Sequence, residues 1–263
     1  MHILDTIIAH KYEAVATRKT IVPVSKLEQS VYFNRPTISL KASLLDDTKN
    51  GIIAEFKRQS PSKGIINNTA DVIKVTEAYT TLGASGLSIL TDEHFFGGKA
   101  EDVMAARIHS IPILRKDFIV DEYQILEAKA MGADVILLIA ACLSKERVAT
   151  LAAFAQSLQL EVLLELHGDE ELNHITDDIA LIGVNNRDLQ TFTVDINRSI
   201  ALSEHIPKDK IKIAESGIHD VQTICTFRNA GFKGFLIGEN FMKAADPAIA
   251  FAEFTQQLKA ALS

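Results

Sequence analysis

Two opposite charges interrupt an apolar run in the segment Ile52–Lys57. The run begins as a buried strand would, yet it contains Glu55 and Lys57. Alternate side chains of an extended chain point the same way, so Ile53, Glu55 and Lys57 share one face. Ionisable groups on the inner face of a buried strand destabilise the fold unless they are paired or used. Together with the following turn Ser60–Gly64, rich in hydroxyls and backbone donors, they predict an anion-binding site.

Lys116 and Glu165 are two further charged residues that close apolar runs. Lys116 stands between Arg115 and Asp117, which could hold it and tune its pKa for general-acid catalysis, although a strand-end lysine is often only solvated. Glu165 alternates with leucines, and a carboxylate in such a position usually has a partner or a function. His167 could form a metal pair with Glu165, but the sequence has no Cys/His cluster, so we expect no metal.

Asn185 and Arg187 follow the apolar run Leu181–Val184. Alternation places Gly183, Asn185 and Arg187 on one face, and the glycine leaves room for a bulky group above it. An amide and a guanidinium placed in this way suit a carboxylate or a phosphate, whereas a capped loop is the structural alternative.

The turn Phe95–Gly98 combines two aromatic residues with two glycines. Two interpretations stay open for it. The rings pack on the rim of the fold, or they shape the aromatic part of a ligand.

A repeating pattern of short Val/Ile/Leu runs and amphipathic helical stretches must position these residues. Small-residue turns such as Leu82-Gly83-Ala84 precede several runs, and a glycine there can cap a helix before the chain re-enters a sheet. The runs predict strands at Gly51–Lys57, Gly86–Thr91, Pro112–Lys116, Asp134–Ala140, Leu160–Leu166, Leu181–Asn185, Lys210–Glu215 and Gly234–Gly238. Helices are predicted, among others, at Asp71–Leu82, Asp121–Met131, Lys145–Leu158, Val221–Ala230 and Pro247–Leu262.

Such βα repeats in 263 residues most economically form an α/β fold of the closed (β/α)8 TIM-barrel type. A doubly wound open sheet is the alternative, but its usual G-x-G-x-x-G fingerprint is missing after the first strand. Ile3, Leu4, Ile7 and Ile8 recur at helical spacing, which predicts a helix and loop across one barrel end. Because no Pro-, Gly- or Ser-rich linker divides the chain, we expect one domain over residues 1–263, with 1–50 as an N-terminal extension.

The active sites of such barrels form at the carboxyl ends of the strands, where all the candidate residues fall. The last two predicted strands end in the glycine turns Ser216-Gly217 and Gly238-Glu239, which lead into helices. Barrels commonly bind phosphate at these two loops through backbone N–H groups, so we expect phosphate binding there. The carboxylate of Glu239 would repel a dianion, and we expect its backbone to face the ligand.

The composition limits the classes of binding partner and the cell compartment that we expect for the protein. A net charge of −7 argues against general binding to nucleic acid or to anionic membranes. No apolar run approaches the ~18 residues that span a bilayer. With only Cys142 and Cys225 and no secretory signal, the sequence predicts a cytoplasmic protein. Separately, we expect a monomer or a small homo-oligomer.

From about Ile3 to the C-terminus, the ordered motifs of the chain resemble those of indole-3-glycerol phosphate synthases, barrel enzymes that close the indole ring in tryptophan biosynthesis. Any one motif could arise by chance, but the ordered set is specific. The motifs are Glu55–Gly64, Ser88–Thr91 with Phe96, Pro112–Ile119, Leu137–Ile139, Ile182–Leu189, Ala214–Ile218 and Phe235–Gly238. The opening Ile3–Ile7 also resembles the extra helix that such enzymes lay over the barrel mouth.

The resemblance implies a substrate, 1-(2-carboxyphenylamino)-1-deoxyribulose 5-phosphate, and no cofactor. Its aromatic carbon attacks the sugar ketone, carbon dioxide leaves and water is lost, which gives indole-3-glycerol phosphate. By resemblance, Lys116 is the acid that protonates the ketone oxygen, Glu165 is the base of the dehydration, and Lys57 contacts the anionic substrate or the departing hydroxyl. The other implied roles are orientation by Glu55 and Asn185, substrate contacts by Ser60, Phe96, Arg187 and Ser216, and phosphate binding by Gly217, Gly238 and Glu239.

Two rival functions stay open. Another phosphosugar barrel, such as phosphoribosylanthranilate isomerase, would work with a Cys/Asp pair, yet no cysteine lies at the end of the first strand. A barrel that only senses or binds a phosphorylated metabolite would not need both Lys116 and Glu165 to face one cavity.

Overall fold

The computed structural model describes residues 3–188 and 193–262, so Leu189, the last residue of one motif, lies outside the described residues. The strands are β1 Ile52–Phe56, β2 Gln59–Ser60, β3 Gly64–Ile65, β4 Gly86–Leu90, β5 Ile113–Lys116, β6 Val135–Ile139, β7 Glu161–Leu166, β8 Leu181–Asn185, β9 Ile211–Glu215 and β10 Gly234–Ile237. Apart from the β2–β3 hairpin, they form one closed barrel in the order β1-β4-β5-β6-β7-β8-β9-β10, in which every pair is parallel.

Helices alternate with the barrel strands and follow an N-terminal helical segment. They are α1 Ile3–Ile21, α2 Val24–Glu28, α3 Leu40–Leu44, α4 Val72–Thr81, α5 Glu93–Phe96, α6 Ala100–Ala106, α7 Glu122–Met131, α8 Lys145–Ser157, α9 Ile196–Ser203, α10 Val221–Asn229, α11 Glu239–Met242 and α12 Pro247–Leu262. Short 3-10 helices lie at Ala140–Cys142 and Asp169–His174.

The predicted barrel is confirmed, and each predicted strand is found within one residue of its predicted ends. The five predicted helices are present as α4, α7, α8, α10 and α12. Closure of the sheet through the β1–β10 pair excludes the open doubly wound alternative.

Alternation along the strands separates two layers of core. Buried side chains from alternate positions fill the barrel interior, among them Ile53, Leu114, Leu163 and Ile213. Two residues further along the same strands come Glu55, Lys116, Glu165 and Glu215, which therefore point to the axis at the carboxyl end. The opposite faces pack against the helices in a larger apolar cluster.

The N-terminal segment reaches both ends of the barrel, so the expectation of a single end was too narrow. Ile3, Leu4 and Ile7 of α1 line the cavity at the carboxyl end. Leu40 and Leu44 of α3 instead join the interior cluster at the amino end. There, side-chain atoms of Leu40 and Leu44 lie 2.8 and 3.3 Å from the positions that a Cβ would take on the first residues of β4 and β10.

Lys11 attaches α1 to the barrel through buried ion pairs. Its Nζ lies 2.6 Å from Oδ2 of Asp92 and 2.8 Å from Oδ1 of Asp117. Asp117 also accepts hydrogen bonds from Thr91 at 2.6 Å and from Arg115 at 3.0 Å. The helix is therefore fixed to the residue that directly follows Lys116.

The connection between β7 and β8 departs from strict alternation. Residues 169–174 form a 3-10 helix where the pattern would place an α-helix. The periodicity of the sequence did not predict this short element.

Candidate active site

Lys116 lies between two buried carboxylates. Its Nζ is 3.0 Å from Oε2 of Glu165 and 3.2 Å from Oε2 of Glu215. The side chains of Glu165 and Glu215 are 3% and 1% exposed, against 16% for Lys116. Three neighbouring groups that can exchange protons thus meet where β5, β7 and β9 end.

The charges of this triad are set by burial and by each other. Burial disfavours the Lys116 ammonium, but Glu165, Glu215 and Glu55 outweigh it and raise the pKa of Lys116 above its usual value. Burial also disfavours the Glu165 carboxylate, but Lys116, His167 and Asn185 hold the pKa of Glu165 well below its usual value. For Glu215, burial dominates and raises the pKa to about 8. At neutral pH the site therefore holds an ammonium, a carboxylate and a carboxylic acid.

Asn185 and His167 contact the other oxygen of Glu165. Nδ2 of Asn185 donates to Oε1 at 2.9 Å, and Nε2 of His167 lies 3.2 Å from the same atom. Oδ1 of Asn185 accepts from the backbone N–H of Arg187 at 3.0 Å, which fixes the amide orientation. Through these contacts, Asn185 holds the Glu165 carboxylate in place.

Glu215 is the site residue that the sequence did not single out for a role. No described residue donates a hydrogen bond to its buried Oε1. That oxygen fills the space above Gly183, where a Cβ would overlap it. The predicted room above Gly183 is thus confirmed, and its occupant is Glu215. The sequence does contain a signal for this contact, because Gly183 lacks a side chain and the consecutive strands β8 and β9 place Glu215 next to it.

Glu55 and Lys57 form the predicted pair at the end of β1. Nζ of Lys57 lies 2.7 Å from Oε1 of Glu55, and the side chains are 16% and 5% exposed, respectively. Gly238 makes room for Glu55, since a Cβ there would overlap the carboxylate. Two glycines, Gly183 and Gly238, therefore admit two acidic side chains to the same cavity.

The turns after β9 and β10 also line the cavity, next to the end of β1. Ser216 and Gly217 both have positive φ angles, 67° and 69°, a conformation that is costly for the serine. Gly238 and Glu239 begin α11. The carboxylate of Glu239 lies 3.9 Å from both Nζ of Lys63 and Nη2 of Arg187. The carboxylate of Glu239 thus pairs with cations at the rim, and the expectation that its backbone faces the ligand stays a prediction.

One cavity contains all the predicted site residues. It is lined by Glu55, Lys57, Ser60, Phe96, Lys116, Glu165, Asn185, Arg187, Ser216, Gly217, Gly238 and Glu239, together with Glu215. Phe96 faces Phe118 at a centroid distance of 6.2 Å, whereas Phe95 packs edge-on against His10 of α1. Phe95 therefore packs on the rim, whereas Phe96 lines the cavity, and its contact with the aromatic part of a ligand stays a prediction.

Metal ligands are not grouped in the described ranges 3–188 and 193–262. No set of three or more His, Cys, Asp or Glu side chains there could hold a metal ion.

Solved structures similar to this chain share its fold. A mutant tryptophan synthase alpha-subunit from Pyrococcus furiosus superposes with a TM-score of 0.63 at 14% identity, over 81% of this chain and 99% of that one. KGPDC from Streptococcus mutans gives 0.60 at 14% identity, over 81% and 98%. At such identities the likeness concerns the barrel alone.

Sequence comparison is more specific. The indole-3-glycerol phosphate synthase profile matches residues 4–254. The indole-3-glycerol phosphate synthase of Bacteroides thetaiotaomicron is 45% identical over 258 residues, which cover 98% of this chain and 99% of that protein. The enzyme of Acidithiobacillus ferrooxidans is 41% identical over 93% of this chain and 95% of its own length. The chain belongs to the indole-3-glycerol phosphate synthase family.

Proposed function

We propose that Lys116 and Glu165 are the acid and the base with which this chain carries out the indole-3-glycerol phosphate synthase reaction. The activity is that of a carboxy-lyase of tryptophan biosynthesis. The substrate, 1-(2-carboxyphenylamino)-1-deoxyribulose 5-phosphate, is closed, decarboxylated and dehydrated to indole-3-glycerol phosphate.

The observation that carries this proposal is the position of Lys116 Nζ between Glu165 and Glu215, at 3.0 and 3.2 Å. A ketone oxygen that becomes a hydroxyl during ring closure needs a proton donor, and the charged Lys116 supplies one. The dehydration then needs a base to take a proton from the ring-closed intermediate, and the ionised Glu165 supplies it. A barrel that only binds a metabolite would need neither group in this arrangement.

Lys57 and Glu55 support the same chemistry from the carboxyl end of β1. The ammonium of Lys57 attracts the anionic substrate and stabilises the hydroxyl that departs, while Glu55 holds it at 2.7 Å. Glu215, uncharged at neutral pH, stands 3.2 Å from Lys116 and is the natural group to return a proton to it.

The two anionic ends of the substrate match two parts of the cavity. The turns of Ser216, Gly217, Gly238 and Glu239 receive the phosphate through backbone N–H groups. Arg187 and Ser60 contact the remaining polar groups, and Phe96 packs beside the anthranilate ring. Lys57, Lys116 and Arg187 supply the cations that meet such a substrate on a protein of net charge −7.

Four further features belong to the proposal. The chain acts as one domain over 1–263, with 1–50 as its extension, and uses no cofactor. It works as a monomer or a small homo-oligomer in the cytoplasm, in keeping with the two free thiols of Cys142 and Cys225. Among the described residues, every helix is too short or too polar to cross a membrane.

The function is tested by incubating the purified protein with the carboxyphenylamino substrate and following indole fluorescence. Appearance of indole-3-glycerol phosphate is expected, and a protein that binds the substrate without turnover would refute the proposal. Glu165→Gln should lower kcat by ~100-fold or more, as for loss of a positioned base. An unchanged kcat in a folded Glu165→Gln variant would refute the role of Glu165.

A further inference from the structure

His167 is a sequence candidate to which the proposed mechanism gives no task. It follows β7 by one residue, and its side chain is 12% exposed. Nε2 lies 3.2 Å from Oε1 of Glu165, and Nδ1 lies 3.8 Å from Oε2 of Glu171. The imidazole therefore stands between two carboxylates, one inside the catalytic cavity and one outside it.

A second cavity, of about 490 Å³, opens on the other side of the imidazole. His167 and Glu171 line this cavity, whereas Glu165 lines the catalytic one. Its rim includes the exposed residues Asp169 and Glu170 of the 3-10 helix. His167 thus separates the buried carboxylate of Glu165 from a space that reaches the surface.

The ring of His167 lacks the hydrogen bonds that fix a structural histidine in place. Both of its nitrogens are buried, and neither makes a well-aligned hydrogen bond with a described residue. His174, nearby, shows the ordinary arrangement: its two nitrogens lie 3.1 and 3.0 Å from the backbone carbonyls of Glu171 and Leu143. Buried polar atoms without such partners are uncommon and call for an explanation.

The charges around His167 respond to the protonation of Glu165. Burial disfavours the imidazolium, but Glu165, Glu171 and Glu215 outweigh it and raise the pKa of His167. Glu165 is the nearest of these carboxylates, so its protonation removes much of the attraction that holds the imidazolium proton. Lys116, on the far side of Glu165, repels the same proton.

We propose that His167 relays to the second cavity the proton that Glu165 takes from the substrate. The inference rests on the proposed role of Glu165 as base. In the relay, the imidazolium releases its Nδ1 proton into the second cavity. The neutral ring, which no well-aligned hydrogen bond holds, then turns over about its Cβ–Cγ bond, so that the bare Nδ1 faces Glu165 and the Nε2–H faces the second cavity. Nδ1 then takes the proton from Glu165. One proton enters at Glu165 and one leaves at His167, so the pair again consists of a carboxylate and an imidazolium.

Two variants and a control test the relay in the indole fluorescence assay. His167→Gln keeps a polar side chain of similar reach without a titrating ring, and His167→Ala leaves space that added imidazole can enter from the second cavity. The control is His205→Gln. His205 lines the same cavity, and its side chain is 65% exposed beside Asp169, with no contact to Glu165. Thermal unfolding accompanies each variant, and kinetics are measured at a temperature where it is folded.

The relay predicts that kcat falls by ~10- to 100-fold in both His167 variants, a loss no larger than that expected for a positioned acid or base. KM should stay within about twofold of the wild-type value. Imidazole should raise the kcat of His167→Ala in proportion to its concentration and leave His205→Gln and the wild type unchanged. A wild-type kcat in His167→Gln, or a lowered kcat in His167→Ala that imidazole does not raise, overturns the relay. If the wild type itself forms no indole product, the proposed function fails instead.

Discussion

The carboxylate of Glu215 occupies the space that a methyl group on Gly183 would need. The two residues lie on the adjacent strands β8 and β9, where Asn185 is in register with Glu215. A Cβ on Gly183 would also lie 3.3 Å from Cδ1 of Leu163, so there is little space into which it could shift away from Glu215. The missing side chain at 183 is therefore what allows Glu215 to reach Lys116.

Gly183→Ala should displace Glu215 and lower kcat by ~100-fold, about the contribution of one positioned acid or base. In a Glu215→Ala background the same substitution should cost little more, because the space is already empty and the two effects are not additive. Steady-state kinetics of the two single variants and the double variant measure this coupling. Strictly additive losses would mean that Gly183 acts independently of Glu215.

The raised pKa of Glu215 has a consequence for stability. Because the pKa is about 8 in the native state and 4.5 for an ordinary glutamate, the native state binds more protons in this window. The contribution of Glu215 to the free energy of unfolding therefore falls as pH rises from about 4.5 to 8. Glu215→Gln removes this dependence, so its stability relative to the wild type should be higher at about pH 8 than at about pH 5. Urea unfolding at both pH values measures the difference, and a pH-independent difference would contradict the assignment.

Two lysines on α1 allow a matched test of how the N-terminal segment is held. Lys11→Met leaves the buried Asp92 without its cation and Asp117 with Arg115 alone, which should cost roughly 3–5 kcal/mol of unfolding free energy. The control is Lys19→Met. Lys19 pairs with Asp121 at 2.8 Å, and its side chain is 45% exposed, so its loss should cost ~0–1 kcal/mol. Denaturant unfolding of the two variants measures both losses of unfolding free energy. Equal losses would show that the buried pairs do not anchor the helix.

The sequence predicted the barrel well because each βα unit is encoded locally. A short apolar run and an amphipathic helix suffice to place a strand such as β8, whose predicted and observed limits coincide at Leu181 and Asn185. The carboxyl-end rule then placed Lys116 and Glu165 in one cavity. Local patterns and one topological rule were enough for these features.

The features that we did not predict from the sequence depend on contacts between residues that lie far apart along the chain. The position of Glu215 against Gly183 follows from the register of β8 and β9, and the anchoring of α1 follows from a Lys11–Asp117 pair 106 positions apart in the sequence. In both cases, the residues that are adjacent in sequence do not indicate which distant residue will be the contact. The rim pairing of Glu239 with Lys63 and Arg187 likewise joins the start of α11 to two separate loops.

The central claim, that Lys116 is the acid of ring closure, is tested most directly by the kcat of Lys116→Ala in the indole fluorescence assay. The matched control is Lys74→Ala, which removes an exposed lysine of α4. We expect the Lys116→Ala kcat to fall by at least ~100-fold, with substrate binding largely retained and the control unchanged. A folded Lys116→Ala variant with nearly the wild-type kcat would contradict the account.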